Sequence, residues 1–306
     1  MPTHSPSVGL FIMPGGGPPE LGWSETVVMA KRAEEVGFDS VWLPDHLIMP
    51  TPNGPANGLW ECWTFLAGLA AVTSRVELGT LVASTSYRNP GLLAKLAEAV
   101  DAISNGRMVL GIGSGHVPFE AEAYGFPYDH LASRFEEAIQ IITSLIRERR
   151  AEFEGTYSSA HIGEFGPAGP RPGGIPVMAG VEGPRMTRIA ARYADEINLD
   201  LGKSVDSLAG HRDRIDAACR EVGRDPATLR RSCFAAVDVS SPTLPGDEWT
   251  TSLFEGMWHR GTTEELGEIL RAHAAAGFDR VQIWLNPMTV EGIDAFAPVL
   301  EQLSST

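Results

Sequence analysis

Short runs of apolar residues alternate along the chain with longer segments in which apolar residues recur every three or four positions. A short apolar run bounded by Gly, Pro or polar residues is typical of a buried strand, and the longer spacing is typical of an amphipathic helix. The pattern predicts eight strands, over Val8–Met13, Ser40–Leu43, Val76–Val82, Arg107–Ile112, Ile175–Ala179, Glu196–Leu199, Ser232–Val239 and Arg280–Leu285.

A helical segment follows each predicted strand. Ser24 is expected to cap the first helix and Gly37 to end it, because these residue types satisfy helix termini. Thr262 and Glu265 have the spacing of a capping box at the start of a later helix. The predicted helices are Ser24–Val36, Trp60–Val72, Asn89–Ile103, Leu131–Arg149, Pro184–Tyr193, Val205–Val222, Thr262–Ala276 and Gly292–Leu303.

The order of these elements predicts the fold class. The strands lack polar alternation, which is typical of a parallel sheet whose outer face is covered by helices. Eight β/α units in 306 residues favour a (β/α)8 TIM barrel that forms one domain over residues 1–306. The alternative is a doubly wound sheet. Two irregular insertions, Ala151–Gly174 and Ser240–Gly261, follow the fourth and seventh units.

Composition and charge exclude several classes of protein. Hydrophobic residues make up 43% of the chain and charged residues 21%, which indicates a packed core. A net charge of −15 argues against nucleic-acid binding, and an anionic ligand would need local donors to overcome the repulsion. No apolar run approaches the ~20 residues of a membrane span, and residues 1–17 do not resemble a signal peptide. Three widely spaced cysteines fit a reducing environment, so a cytoplasmic location is expected.

Candidate chemistry lies at the carboxyl ends of the predicted strands, where barrel enzymes have their active sites. Asp45 and His46 follow the second strand, and His116 follows the fourth. Histidine exchanges protons near neutral pH, and a nearby carboxylate favours its charged form. This pair therefore predicts acid–base chemistry, although a strand-end histidine bonded to a backbone carbonyl is the alternative.

Two glycine-rich turns also lie at strand ends. Gly111–Gly115 could present N–H groups to an anion or let a flat ring approach, and close backbone packing is the alternative. Gly180–Gly183 leads into a helix with Pro184 at its expected first position, so its N–H groups and Arg185 could hold an anion. An ordinary βα turn is the alternative there.

Metal and nucleophile motifs are absent from the sequence. The histidines do not have metal-ligand spacing, so no metal site is predicted. There is also no G-x-S-x-G elbow and no P-loop. Long loops on a rigid barrel commonly carry specificity. Apolar side chains in the two insertions therefore predict a small apolar or aromatic substrate; they are Phe153, Phe165, Trp249, Phe254, Met257 and Trp258.

Two long segments are distinctive: Ala33–His46 reads AEEVGFDSVWLPDH, and Ser104–Gly115 reads SNGRMVLGIGSG. Further distinctive segments are Leu78–Val82, Tyr87–Pro90, Leu92–Lys95, Ile175–Gly180, Ala190–Asp195 and, more weakly, Gly261–Leu266. Together, and in this order along the chain, they resemble the bacterial luciferase-like monooxygenase superfamily. The branch that uses the deazaflavin F420 is the closer match.

The resemblance implies a barrel that binds F420, or alternatively FMN, across its strand ends. It implies that Asp45 and His46 face the cofactor ring, and that a non-prolyl cis peptide bond joins Leu81 and Val82 behind it. It also implies a homodimer. The remaining cofactor-binding residues that it implies are Gly113, Ser114 and Gly115 in one turn, and Gly180, Val181, Glu182 and Gly183, with Arg185, near the phosphate.

The chain departs from the sugar-phosphate dehydrogenases of that family at two points. They carry Glu at the position of His116 and Trp shortly after the Asp-His pair, where this chain has Ile48–Pro50. These departures argue against a sugar-phosphate substrate.

These observations predict an F420-dependent oxidoreductase that transfers a hydride to or from a small organic molecule. His46 would exchange the substrate proton, and His116 would polarise or position the substrate. One alternative is an FMN-dependent monooxygenase that uses reduced flavin and O2 with a separate flavin or F420 reductase as partner. Another is a flavin-binding or F420-binding barrel without turnover.

Overall fold

The computed structural model describes residues 5–16, 20–51, 54–199, 205–247, 250–251 and 255–305. Eight parallel strands form a closed barrel in the order β1, β2, β5, β7, β10, β11, β12, β14, with β14 paired back to β1. These barrel strands are β1 Ser7–Phe11, β2 Ser40–Leu43, β5 Glu77–Thr80, β7 Met108–Gly113, β10 Val177–Gly180, β11 Glu196–Leu199, β12 Arg230–Asp238 and β14 Arg280–Asn286.

Helices surround this barrel, and short strands extend from its rim. The helices are α1 Trp23–Val36, α2 Cys62–Val72, α3 Pro90–Ile103, α4 Pro118–Tyr124, α5 Leu131–Glu148, α6 Gly183–Tyr193, α7 Val205–Glu221, α8 Thr263–Ala275 and α9 Val290–Ser304, with a 3-10 turn at Pro226–Thr228. The other strands are β3 Ile48–Thr51, β4 Gly54–Gly58, β6 Ala83–Ser84, β8 Ala151–Glu154, β9 Ser159–Ile162 and β13 Trp258–His259. The predicted (β/α)8 barrel is confirmed, and the closed sheet excludes the doubly wound alternative.

Several local predictions are confirmed and others are wrong. Gly37 ends α1 in left-handed conformation, and Thr262 forms the capping box of α8. Ser24 does not cap α1, because the helix begins one residue earlier and its N-cap is Gly22. The predicted strand Val76–Val82 is interrupted at Leu81–Val82 and continues as β6.

Two elements near the strand ends were not predicted. The hairpin of β3 and β4 contains Pro50 and Pro55, which disfavour strand predictions. Helix α4 contains Pro118 as its first residue, where proline is well tolerated. The insertion at Ala151–Gly174 does contain a hairpin, made of β8 and β9. In the second insertion, Trp249 and Phe254 lie outside the described residues.

Trp42 fits inside the barrel because glycines, Gly9 and Gly79, lie beside it on the two neighbouring strands. Its side chain is fully buried, and Gly79 lies opposite it on β5. A methyl group added to Gly79 would overlap the Trp42 ring. Aromatic rings of Phe11, Phe234 and Trp284 complete this layer.

We expect Gly79→Ala to lower the free energy of unfolding by about 1–3 kcal/mol, because a fully buried ring cannot move aside without repacking the interior. Chemical denaturation would measure this loss. The control is Gly163→Ala, since a Cβ at the exposed Gly163 meets nothing within 4 Å. Equal stability of the two variants would contradict the packing argument.

Among the described residues, every helix is too short or too polar to cross a membrane.

Candidate active site

The two candidate catalytic histidines lie together at the carboxyl end of the barrel. His46 follows β2 and is half-buried, and His116 follows β7 and is exposed. Their ring centroids are 5.3 Å apart, and the rings meet edge to face at 85°. The fold therefore joins two residues separated by seventy positions in the chain.

A carboxylate that sequence reasoning missed holds His46. Glu120 lies on α4, and its side chain is fully buried. Nδ1 of His46 lies 2.9 Å from Oε2 of Glu120, and the Tyr87 hydroxyl donates to the same oxygen at 2.5 Å. Oε1 accepts hydrogen bonds from the backbone N–H groups of Leu47 and, at 3.1 Å, Ile48. Glu120 thus has a partner for each of four acceptor positions.

These hydrogen bonds keep the Glu120 carboxylate charged. Burial alone would raise the pKa of Glu120, but hydrogen bonds with His46, Tyr87 and Leu47 outweigh it and lower that pKa to about 2. Burial and the hydrogen bond to Glu120 raise the pKa of Tyr87 well above its ordinary value. At neutral pH the site therefore contains an ionised Glu120 and a neutral Tyr87.

Asp45 does not serve as the carboxylate partner of His46. The Asp45 side chain is buried, and Arg88 binds both of its oxygens, at 2.6 and 2.9 Å. Asp45 also accepts the backbone N–H of Ser84 at 3.1 Å. Two donors of Arg88 bind Asp45, while Glu120 lies 2.9 Å from Nδ1 of His46, so the two neighbours have different partners. Asp45 thereby ties the end of β2 to β6.

Burial raises the pKa of Asp45 to about 6, although Arg88 and the Ser84 N–H act in the opposite direction. Arg88 also contacts Glu61, the N-cap residue of α2, at 2.8 Å. One guanidinium thus connects the end of β2 to the start of α2.

The peptide bond between Leu81 and Val82 is cis, as predicted. Both side chains are half-buried and border the apolar interior of the barrel. Val82 fills the space over two glycines: a Cβ on Gly113 would lie 2.7 Å from Val82 Cγ2, and one on Gly180 would lie 3.0 Å from both Val82 methyl groups. Close packing thus explains why these two positions lack side chains.

The turn after β7 bends back over β6. Gly115 has a φ of +81°, which favours glycine, and a Cβ there would also lie 2.9 Å from Ser84 Oγ. The carbonyl of Ser114 accepts a hydrogen bond from Ser86 at 3.4 Å. These contacts hold the turn after β7 against β6 and the residues that follow it.

The turn after β10 lines a groove of about 440 Å³ between α6 and α7. Val181, Glu182 and Gly183 line this groove, as do Arg188 and Arg214, and Arg188 is paired there with Glu221 at 2.9 Å. Helix α6 begins at Gly183, so Pro184 is its second residue and not its first.

Arg185 does not line this groove. Its guanidinium donates to Ser133 at 2.9 Å and to Glu136 at 3.3 Å, both on α5. The arginines at the groove are instead Arg188 and Arg214, one helical turn or more from the β10 turn.

The inner cluster is the group of buried side chains around Trp42, which includes Phe11, Phe234 and Trp284. Met49, Leu59, Trp258 and Met288 are half-buried and pack against this inner cluster. Trp258 belongs to the second insertion, and β13 pairs with β12, which places Trp258 beside Ala236. The insertion thus contributes one aromatic side chain to the site.

The aromatic residues of the first insertion lie elsewhere. Phe165 is buried, with the Lys95 ammonium 4.1 Å and the Arg149 guanidinium 4.8 Å from its ring centre. Phe153 packs against the outer core. In the second insertion, Met257 is exposed. Four of the six insertion residues predicted to line the substrate pocket are described by the structure. Among these four, Trp258 is the one that packs on the inner cluster.

Comparison with known families gives a match over most of the chain. The sequence profile described as luciferase-like monooxygenase matches residues 7–243. An F420-dependent glucose-6-phosphate dehydrogenase of Kineococcus radiotolerans is 32% identical over 213 residues, which cover 65% of this chain and 60% of that protein. A 5,10-methylenetetrahydromethanopterin reductase of Archaeoglobus fulgidus is 29% identical over 225 residues, covering 72% of this chain and 62% of that protein. The chain therefore spans about three fifths of the length of these curated relatives.

Solved structures share the fold. An F420-dependent secondary alcohol dehydrogenase in complex with an F420–acetone adduct superposes with a TM-score of 0.80 at 19% identity, covering 98% of this chain and 99% of the other. The tetrahydromethanopterin reductase of Methanopyrus kandleri gives a TM-score of 0.77 at 17% identity, with coverage of 98% and 99%.

Proposed function

The chain belongs to the luciferase-like monooxygenase family, and from this membership we propose that it is an oxidoreductase that uses the deazaflavin F420. The matched relatives of Kineococcus and Archaeoglobus, which support this cofactor choice, are a dehydrogenase and a reductase, and the first is named as F420-dependent. The observation that carries the proposal is the His46–Glu120 contact at the carboxyl rim, 2.9 Å long and next to the loop of the cis bond. It provides a proton carrier where a planar cofactor would lie.

The residues present fit a flat ring with an anionic tail. Leu81 and Val82 offer a half-buried apolar surface at the strand ends, flanked by Gly113 and Gly180. The groove at the β10 turn is lined by two arginines and by two glutamates, Glu182 and Glu221, in a chain whose net charge is −15. An anionic tail would bind these guanidinium groups through charge-assisted hydrogen bonds, and it would share Arg188 with Glu221. We assign the ring to the Val82 surface and the tail to the groove.

Asp45 supports the Leu81–Val82 surface indirectly, through the backbone of the adjacent β6. Its carboxylate accepts the Ser84 N–H and is itself clamped by Arg88. Its role in this proposal is to hold the Val82 loop in place, without contact to the ring.

His46 is assigned the proton transfer. F420, when bound, supplies a ring carbon that donates or accepts a hydride. In an alcohol oxidation His46 would take the proton that leaves the substrate hydroxyl, and in a carbonyl reduction it would return that proton to the oxygen. His116, edge-on to the His46 ring, is placed to position the same oxygen.

The proposed substrate is small and largely apolar. The walls are provided by Met49, Leu59, Trp258 and Met288, which pack on the same inner cluster as Leu81 and Val82 and carry no charge. Such walls favour an alcohol, ketone or enone over a phosphorylated sugar, in agreement with the sequence departures at His116 and Ile48–Pro50.

We expect purified protein to bind F420 saturably, with much weaker binding of FMN, as measured by fluorescence titration. The double variant Arg188→Met/Arg214→Met should raise the Kd for F420 by about threefold to tenfold, since both guanidinium groups are partly exposed and screened.

Arg220→Met, an exposed change on the same helix as Arg214, is the control for that variant. Tight binding of FMN without binding of F420 would overturn the cofactor assignment and favour the monooxygenase alternative. An unchanged Kd for F420 in the double variant would contradict the assignment of the cofactor tail to the groove. The homodimer and the reductase partner stay predictions. Sedimentation analysis with and without cofactor would test the homodimer.

A further inference from the structure

We infer that Glu120 is a positioning residue that fixes the His46 ring in the tautomer with its proton on Nδ1, so that Nε2 is the atom that exchanges a proton with substrate. The inference rests on the proposed function for the identity of that substrate. The tautomer itself is a property of the protein alone.

The geometry distinguishes the two oxygens of Glu120. Oε1 accepts two backbone N–H groups, from Leu47 and Ile48, and this pair anchors one side of the carboxylate. Oε2 accepts the Tyr87 hydroxyl at 2.5 Å and lies 2.9 Å from His46 Nδ1. The side chain is fully buried, so solvent does not compete for these positions.

The charge state of Glu120 then decides where the His46 proton lies. An ionised carboxylate accepts hydrogen bonds and cannot donate one. Because hydrogen bonding lowers the pKa of Glu120 to about 2 despite its burial, the carboxylate is ionised at any pH near neutrality. A contact of 2.9 Å between Nδ1 and Oε2 is therefore a hydrogen bond in which Nδ1 donates. In the neutral ring this leaves a lone pair on Nε2.

Replacing Glu120 with glutamine should invert this arrangement with little change in shape. The N–H groups of Leu47 and Ile48 can be satisfied only by the amide oxygen, so the amide nitrogen takes the place of Oε2. That nitrogen donates, and it faces His46 Nδ1, which must then accept. The proton of the neutral ring moves to Nε2, where it blocks proton uptake from substrate.

The experiment uses full-length protein with 15N-labelled histidine rings and no cofactor. In the unmodified protein at alkaline pH, the His46 ring, assigned by its absence in a His46→Ala spectrum, should show a protonated Nδ1 and an unprotonated Nε2. Glu120→Gln should exchange these two signatures. With F420 and a turned-over alcohol or ketone, Glu120→Gln should lower kcat by roughly 10²-fold and leave the Kd for F420 within about threefold, because only the proton-transfer atom is altered.

Glu98→Gln is the matched control, because Glu98 is also a buried carboxylate but pairs with Arg149 outside the site. It should change neither the His46 signature nor kcat. A protonated Nε2 in the unmodified protein would overturn the inference even if Glu120→Gln does not fold. The same result follows if the signature of Glu120→Gln is unchanged in a folded protein. Lack of F420 turnover with the expected ring signature would refute the proposed function and leave the positioning role intact.

Discussion

Replacing His46 with alanine should lower kcat by about 10³-fold while the Kd for F420 stays within about threefold. A positioned acid–base group contributes about 10²–10⁴ to the rate, and His46 is the ring at the strand ends whose proton is held by a buried carboxylate. The cofactor surface at Leu81–Val82 should persist, because its hydrogen bonds come from Asp45 and from backbone groups. Steady-state kinetics together with fluorescence titration would separate these two effects.

Two controls make this result specific. His161→Ala removes an exposed histidine on the β8–β9 hairpin, bound to Glu152 and Glu154, and should leave kcat unchanged. Added imidazole should restore part of the activity of His46→Ala by occupying the space of the missing ring. Full activity of His46→Ala on any identified substrate would refute the catalytic role of His46.

Replacing Arg88 with methionine should lower the free energy of unfolding by about 3–5 kcal/mol at neutral pH. Arg88 holds both oxygens of Asp45, whose side chain is fully buried, so its loss leaves a charge in the interior without a counter-ion. The hydrogen bond to Glu61 at the start of α2 is lost as well.

This destabilisation should depend on pH in one direction. Burial raises the pKa of Asp45 to about 6 in the folded chain, above the ordinary value of 3.8. The folded state therefore binds the Asp45 proton more tightly than the unfolded state, and the contribution of Asp45 to stability rises as pH falls from about 6 to 3.8. Without Arg88 that pKa moves further upward. The loss caused by Arg88→Met should be largest above pH 6 and should shrink at lower pH.

The double variant Arg88→Met/Asp45→Asn should recover much of the loss, since it removes the buried charge together with its partner. Arg147→Met is the matched control, because the Arg147–Asp195 pair is solvent-exposed and should contribute less than about 1 kcal/mol. A loss in Arg88→Met that is the same at pH 5 and pH 8 would contradict this account of the Asp45 carboxylate.

The barrel and the positions of the histidines could be predicted from the sequence. Apolar runs followed by helical segments are a local pattern, and a parallel barrel brings the carboxyl ends of all strands to one rim. This rule is sufficient to predict that His46 and His116 lie at the same rim, although seventy positions separate them in the chain. The cis bond at Leu81–Val82 was predicted from the family resemblance, because no local sequence pattern indicates a cis bond between these residue types.

The partners of the site residues could not be predicted in the same way. Glu120 lies 74 positions from His46, on α4, a helix that the sequence pattern did not predict. Asp45 was paired in the prediction with its neighbour His46, but its partner Arg88 is 43 positions away. The available signal was the placement of Pro118, which suits the start of a helix as well as a loop.

The glycines of the rim required three-dimensional information too. Their spacing suggested an approach of backbone to a cofactor. The structure adds that a side chain on Gly113 or Gly180 would meet Val82, and the approach to a cofactor stays a prediction. A local sequence pattern shows which positions lack a side chain. It does not show which atoms of other residues pack against the backbone there.

The segment after β7 contains both His116 and Glu120, four residues apart. One short piece of chain therefore delivers the second histidine and also the group that holds the first. Exchanging this whole piece between relatives would replace both residues at once, so the proposed effect of His116 on the substrate could not be separated from the proposed effect of Glu120 on the His46 ring. Engineering of substrate preference should accordingly leave Pro118–Tyr124 intact and vary the wall formed by Met49, Leu59 and Met288, which is independent of it in sequence.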